Sequence, residues 1–178
     1  MHIEYECTIL EIDKEKFIEK IEKLGAKKIG DFYQKRYVYD FNPVDPNKWI
    51  RLRNNGKKTT LTIKNIVDKN KIGGTEELEI EVSDFESTNK ILETLGYKSR
   101  NYQENKRVTY ELDNVEIDID SWPMIPTYVE LEGKDEQSVI NLIKKLEIED
   151  KNITNYDVVS IYKEIYGIDI LGIKDLRF

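Results

Sequence analysis

Five strand-like segments of this chain each set two like charges two residues apart: Glu4 and Glu6, Arg51 and Arg53, Glu79 and Glu81, Asp118 and Asp120, Glu130 and Glu132. In a β-strand residues i and i+2 share a face. Each pair therefore projects from one side of its strand. Ile50, Leu52, Leu78, Ile80, Val82, Ile117, Ile119, Val129 and Leu131 project from the other. A solvated face ordinarily mixes signs and carries Lys, Ser and Thr, because like charges side by side repel. Sorting acids from bases strand by strand costs stability unless ligands offset it, a cation at the acids and an oxyanion at the bases. The pattern predicts a sheet with an apolar side to be covered and a charged side that binds.

Four amphipathic stretches supply the cover. Residues 13–24, 84–95, 135–146 and 157–166 each carry apolar residues at helical spacing behind an aspartate N-cap: Phe17, Ile21 and Leu24, then Ile91, Leu92 and Leu95, then Val139, Ile140 and Ile143, then Val158, Ile161 and Ile165. Gly25 and Gly96 follow the first two as stops. The remainder reads as eight strands. The chain also repeats itself: an E-x-E strand, an Asp-capped helix and an L-G-x-K exit occur twice, and Lys35-Arg36 with Tyr39 recurs as Lys106-Arg107 with Tyr110, 71 residues on. Segments 49–53 and 60–64 correspond to 116–120 and 128–132. The expected architecture is α+β, mainly β. Two β-α-β-β-β repeats close as an eight-stranded antiparallel barrel, which removes sheet edges, with the helices outside.

At 178 residues the chain is expected to form a single domain, with its core over about residues 2–146 and a C-terminal helix and tail over 147–178. A net charge of -7 argues against duplex nucleic acid, which needs a broad basic surface. No apolar run suggests a membrane span or leader, so the cytoplasm is the expected location. Lone Cys7 allows no internal disulfide, and lone His2 reads as an exposed terminal residue. With neither thiolates nor imidazoles to spare, any metal must be a hard cation on carboxylates.

E-x-E on the first strand, R-x-R followed by L-T-x-K in "WIRLRNNGKKTTLTIK", a second E-x-E, a strand with Arg and Tyr, and a terminal "VELE" together resemble the CYTH family, also called triphosphate tunnel metalloenzymes. That family includes class IV adenylyl cyclases, thiamine triphosphatases and inorganic triphosphatases, and its fold is an eight-stranded antiparallel tunnel. The resemblance implies that Glu4, Glu6, Glu130, Glu132 and Asp120 hold Mg²⁺ or Mn²⁺, with Glu79, Glu81 and Asp118 as further tunnel acids. It implies that Arg51, Arg53, Lys64 and Arg107 grip phosphates, Lys64 and Arg107 being the catalytic pair. Lys106 joins the grip only if a bulge turns it inward.

The chain departs from the family pattern at Thr8 and Asn105, where E-x-E-x-K and K-x-R place lysines. The segment from Trp122 to Pro126, with Tyr128, reads either as a rigid lip that stacks on a ring or as an apolar plug. The expected partner is a small triphosphate or a nucleotide, the expected assembly a monomer or homodimer. The leading expectation is metal-dependent hydrolysis of inorganic or organic triphosphate. Conversion of ATP to cyclic AMP and a non-catalytic nucleotide- or polyphosphate-binding module are the alternatives.

Overall fold

The computed structural model describes Met1–Phe178. Eight strands, β1 (His2–Ile9), β2 (Lys27–Asp40), β3 (Lys48–Asn54), β4 (Thr59–Ile66), β5 (Thr75–Val82), β6 (Ser99–Leu112), β7 (Val115–Ser121) and β8 (Tyr128–Gly133), pair antiparallel in the order β6-β2-β3-β4-β5-β1-β8-β7. The pairing of β7 with β6 closes the barrel. Helices α1 (Lys14–Lys23), α2 (Phe85–Thr94) and α3 (Glu136–Lys145) begin where the carboxylates of Asp13, Asp84 and Asp135 accept backbone N–H bonds from Lys16, Ser87 and Ser138. Gly25 and Gly96 follow α1 and α2 at φ 94° and 97°, a left-handed conformation that glycine adopts without a Cβ clash. No helix is long and apolar enough to cross a membrane.

The two repeats are β1-α1-β2-β3-β4 and β5-α2-β6-β7-β8. They interlock: β1 pairs with β8 of the other repeat, and β5 with β4. Glu4 lies opposite Thr75 and Gln34 opposite Asn105, each pair being 71 residues apart. These two pairs mark a pseudo-two-fold axis through the barrel.

Alternation sends the apolar residues of the strands outward, where three clusters form. On one side Ile117, Ile119, Val129 and Leu131 pack under Phe17 and Ile21 of α1 and Val139 and Leu142 of α3. On the other, α2 sets Phe85 and Leu92 on Tyr39, Ile50 and Leu52. The third cluster joins Leu10, Trp122 and Tyr128, at the ends of barrel strands, to Ile161, Tyr162, Ile170 and Leu176 of the C-terminal segment. That segment adds β9 (Ile153–Thr154) to β1, forms α4 (Val158–Ser160), and lays β10 (Asp175–Leu176) parallel to β6. Trp122 meets Tyr162 edge-on at 6.4 Å between centroids, and the Tyr162 hydroxyl donates to the Pro123 carbonyl. The stretch from Trp122 to Pro126 is thus part of a plug, not an open lip.

Three expectations are corrected. The outer face of β5 is not covered: Leu78 and Ile80 are 49% and 55% exposed, since α2 lies over β3. In α2 itself Ile91 and Leu95 face solvent, and the packing stripe is Phe85 and Leu92. The helix expected over 157–166 widens after Ser160 into a π-turn, Ile161–Ile165, in which consecutive Ile161 and Tyr162 are both buried while Ile165 is exposed.

Leu142→Ala is expected to lower unfolding free energy by about 2–5 kcal/mol through the cavity it leaves, whereas Ile80→Ala on the bare face should change it by about 0.5 kcal/mol or less. Urea denaturation of the two variants measures the contrast.

Candidate functional site

The same alternation that sends apolar residues outward points the charged rows into the lumen. Glu4, Glu6, Arg51, Arg53, Lys64, Glu79, Glu81, Arg107, Glu130 and Glu132 all line one cavity of about 820 Å³. Asp118 and Asp120, buried on the same face of β7, bond Arg107 from behind. Lys106 is the exception. With Arg107 inward, its neighbour must point outward, and the Lys106 ammonium sits 4.2 Å above the Phe178 ring. It takes no part in the lumen.

Lumen charges fall into three groups. Carboxylate oxygens of Glu4, Glu6 and Glu132 lie within 4.8 Å of one another. Beside them Lys64 Nζ is 2.8 Å from Glu4 and 3.2 Å from Glu77, Arg51 is 3.4 Å from Glu77 and 3.5 Å from Glu79, and Arg53 is 3.5 Å from Glu79. In the third group Arg107 bonds Asp118, Asp120 and Glu130 together, while the Asn105 amide donates to Asp120 at 2.8 Å. Glu130 and Asp120 are therefore engaged by Arg107 and not gathered with the acidic trio. Glu81 faces the lumen at its exposed end. Thr8 and Asn105, at the two lysine positions, are both buried and face inward, Thr8 between Glu130 of β8 and Thr154 of β9.

Crowding of acids shows in their proton affinities. Burial, reinforced by Glu6 and opposed by Lys64, pushes Glu4 up to about 8. Against its own burial, Lys64 and Arg51 hold Glu77 down at about 2. Burial and Glu6 raise Glu132 as well. Asp118 and Asp120 rise to about 6 and about 7, chiefly by desolvation that Arg107 only partly offsets. Three carboxylates gathered this closely, with Glu4 and Glu132 raised, suit a hard divalent cation, which takes oxygen ligands and neutralises them together.

Two further lumen residues lie outside the five pairs. Glu77 precedes Glu79 and Glu81 on the same face of β5 and carries the ion pairs of both Lys64 and Arg51. Arg36 has no like-charged partner two residues away, and only its repeat mate Arg107, 71 positions on, points to it.

A closed antiparallel barrel with apolar residues outside and sorted ionic residues inside defines a tunnel-type binding protein. The family model for the CYTH domain matches residues 2–166, and the chain belongs to that family, whose members are metal-dependent enzymes acting as cyclases or triphosphatases. It is 28% identical over 184 residues to MJ0240 of Methanocaldococcus jannaschii, named as a candidate adenylate cyclase, covering 93% of this chain and 99% of that one. Among solved structures, PH1012 of Pyrococcus horikoshii has a TM-score of 0.77 at 23% identity, covering 87% of this chain and 96% of that one. A Hippeastrum protein, described as a candidate adenylyl cyclase with a dominant triphosphatase activity, has a TM-score of 0.59 at 14% identity, covering 97% and 99%.

Between pH 4.5 and about 8 the folded chain without divalent cation holds a proton on Glu4 that the unfolded chain has released. Stability should then fall as pH rises through this window, by roughly 1.4 kcal/mol per pH unit for each such proton. Asp118 and Asp120 act in the same direction up to about 6 and 7. Glu4→Gln is expected to flatten the slope above pH 7, as measured by urea denaturation in EDTA at several pH values.

Proposed function

We propose that this chain binds a small triphosphate in its lumen and hydrolyses it with Mg²⁺ or Mn²⁺. The observation that carries this reading is the adjacency of two unlike groups in one cavity: the trio Glu4, Glu6 and Glu132, and the cation row Arg51, Arg53 and Lys64, joined by the Lys64–Glu4 bond. Glu4, Glu6 and Glu132 would hold the cation, which when bound withdraws charge from the phosphate oxygens. Arg51 and Arg53 keep only long contacts of 3.4–3.5 Å with Glu77 and Glu79, so a phosphate chain takes over these guanidinium groups at little cost. Their forks suit bidentate phosphate contacts and fix the chain's orientation. Arg107, bonded to three carboxylates, positions acids and is left out of the phosphate grip.

A cyclase reading is favoured by the name of the Methanocaldococcus jannaschii relative. Against it, the ring of Trp122 is already covered by the Arg36 guanidinium at 4.6 Å and by Tyr162, so that this ring offers no free face to a base. A binding-only module is favoured by Thr8 and Asn105 in the lysine positions.

Phosphate release from tripolyphosphate, thiamine triphosphate and ATP, with cyclic AMP measured in the ATP samples, separates the three. The expected outcome is phosphate release that requires Mg²⁺ or Mn²⁺. Cyclic AMP as the main product would establish the cyclase, and binding without turnover the module. Tripolyphosphate with Mg²⁺ should raise the melting temperature, adding about 2.7 kcal/mol at a hundredfold excess over Kd. Glu132→Gln should cut metal-dependent turnover while sparing metal-free phosphate binding; Arg53→Ala should weaken the binding itself by about 1.5–3 kcal/mol.

A further inference from the structure

Of the arginines lining the cavity, Arg51, Arg53, Arg100 and Arg107 each have a carboxylate within 4.0 Å, and Arg36 has none. It is nonetheless only 6% exposed. Its Nη2 donates to two neutral amides, Gln34 Oε1 at 2.8 Å and Asn105 Oδ1, and its Nε has no partner. The guanidinium lies over the Trp122 ring, whose own Nε1–H is buried and unpartnered, as is the neighbouring Tyr128 hydroxyl. Across the β2–β3 ladder Arg36 stands directly opposite Arg53, two inward-facing cations in register.

Like charges opposite one another destabilise a sheet, and a buried cation without a counterion costs more still. Burial and the charges of Arg51, Arg53 and Arg107 all act to strip Arg36 of its proton. Asp120, held behind Asn105, opposes this only in part, and no carboxylate touches the guanidinium. Elsewhere in the lumen every guanidinium has its acid, and here the acids are replaced by Gln34 and Asn105, which leave the positive charge standing while fixing the side chain in place.

We infer that Arg36 and Arg53 together form an oxyanion subsite, floored by Trp122, that seats one phosphoryl group between the two guanidiniums. The inference rests on the proposed reading for the kind of ligand, a phosphate, and not on turnover. The occupant is either the end group of a triphosphate or free inorganic phosphate, which present the same tetrahedral oxyanion.

The test is calorimetric titration of the full chain with inorganic phosphate in EDTA, for the wild type, Arg36→Gln and Arg36→Lys. Loss of a charge-assisted contact should weaken phosphate binding roughly 10- to 100-fold in Arg36→Gln, with a smaller loss in Arg36→Lys, which keeps charge without the fork. In phosphate-free buffer Arg36→Gln should melt no lower than the wild type, because a like-charge contact is removed; a packing role for Arg36 predicts the reverse. A parallel loss of tripolyphosphate affinity in Arg36→Gln identifies the occupant as a terminal phosphoryl group, and an unchanged tripolyphosphate affinity identifies it as free phosphate. Phosphate affinity equal to the wild type in both variants overturns the subsite, even if the wild type hydrolyses triphosphates. Phosphate binding that depends on Arg36, in a protein that turns over no triphosphate, retains the subsite and removes the hydrolase.

Discussion

A buried charge must be answered by another charge, a proton or a ligand, and the rest of this structure follows from that requirement. The barrel is built inside out relative to an ordinary small domain: its apolar residues face outward under helices, and its ionic residues face one another. Arg107 is answered by three carboxylates, Lys64 by Glu4 and Glu77, Arg51 and Arg53 by Glu77 and Glu79. Where the acids outnumber the bases, at Glu4, Glu6 and Glu132, a raised proton affinity of Glu4 and Glu132 makes up the difference. Where a base lacks an acid in contact, at Arg36, only the more distant Asp120 offsets it, and in part. Imbalance of both signs within one cavity distinguishes a place for ligands from a purely structural ionic network.

The pseudo-two-fold symmetry makes this imbalance possible. Repeat mates occupy equivalent positions facing the same lumen, yet they have diverged in company. Arg107 has Asp118 and Asp120 across its strand pair on β7, whereas Arg36 has Arg51 and Arg53 on β3. One copy of the repeat supplies a neutralised wall and the other an electropositive one.

Much of the lumen was legible from sequence because a period of two is the one signal a strand cannot disguise, and five like-charged pairs repeated it. Legibility failed wherever that signal was incomplete. Arg36 sits alone between Gln34 and Val38 on its face, and Glu77 was hidden in the acidic run 76–81. Pairing of Arg107 with Glu130 and Asp120 depends on which strands adjoin, and no local pattern states that. The bare face of β5 follows from where α2 crosses the barrel, a tertiary choice. The C-terminal plug joins residues from 10 to 176, and its π-turn breaks the very periodicity by which helices are read.

The exchange of first strands between the repeats has a consequence for how the chain is made. Strand β1 pairs along β8, from Tyr5 with Gly133 to Ile9 with Val129. On the ribosome, at about 5–20 residues per second, some 120 residues must be polymerised before β8 emerges to meet this half of β1, roughly 6–25 s later. The meander β2–β5 is joined through neighbour pairings, β2 with β3, β3 with β4 and β4 with β5, so its hairpins form early, and β5 then offers its edge to residues 2–4 of β1. Meanwhile Cys7 and Ile9, destined for the interior, have nothing to pack on but α1. The C-terminal half of β1 therefore waits longer for its barrel partner than any other barrel strand, and closure of the barrel is an event of late synthesis.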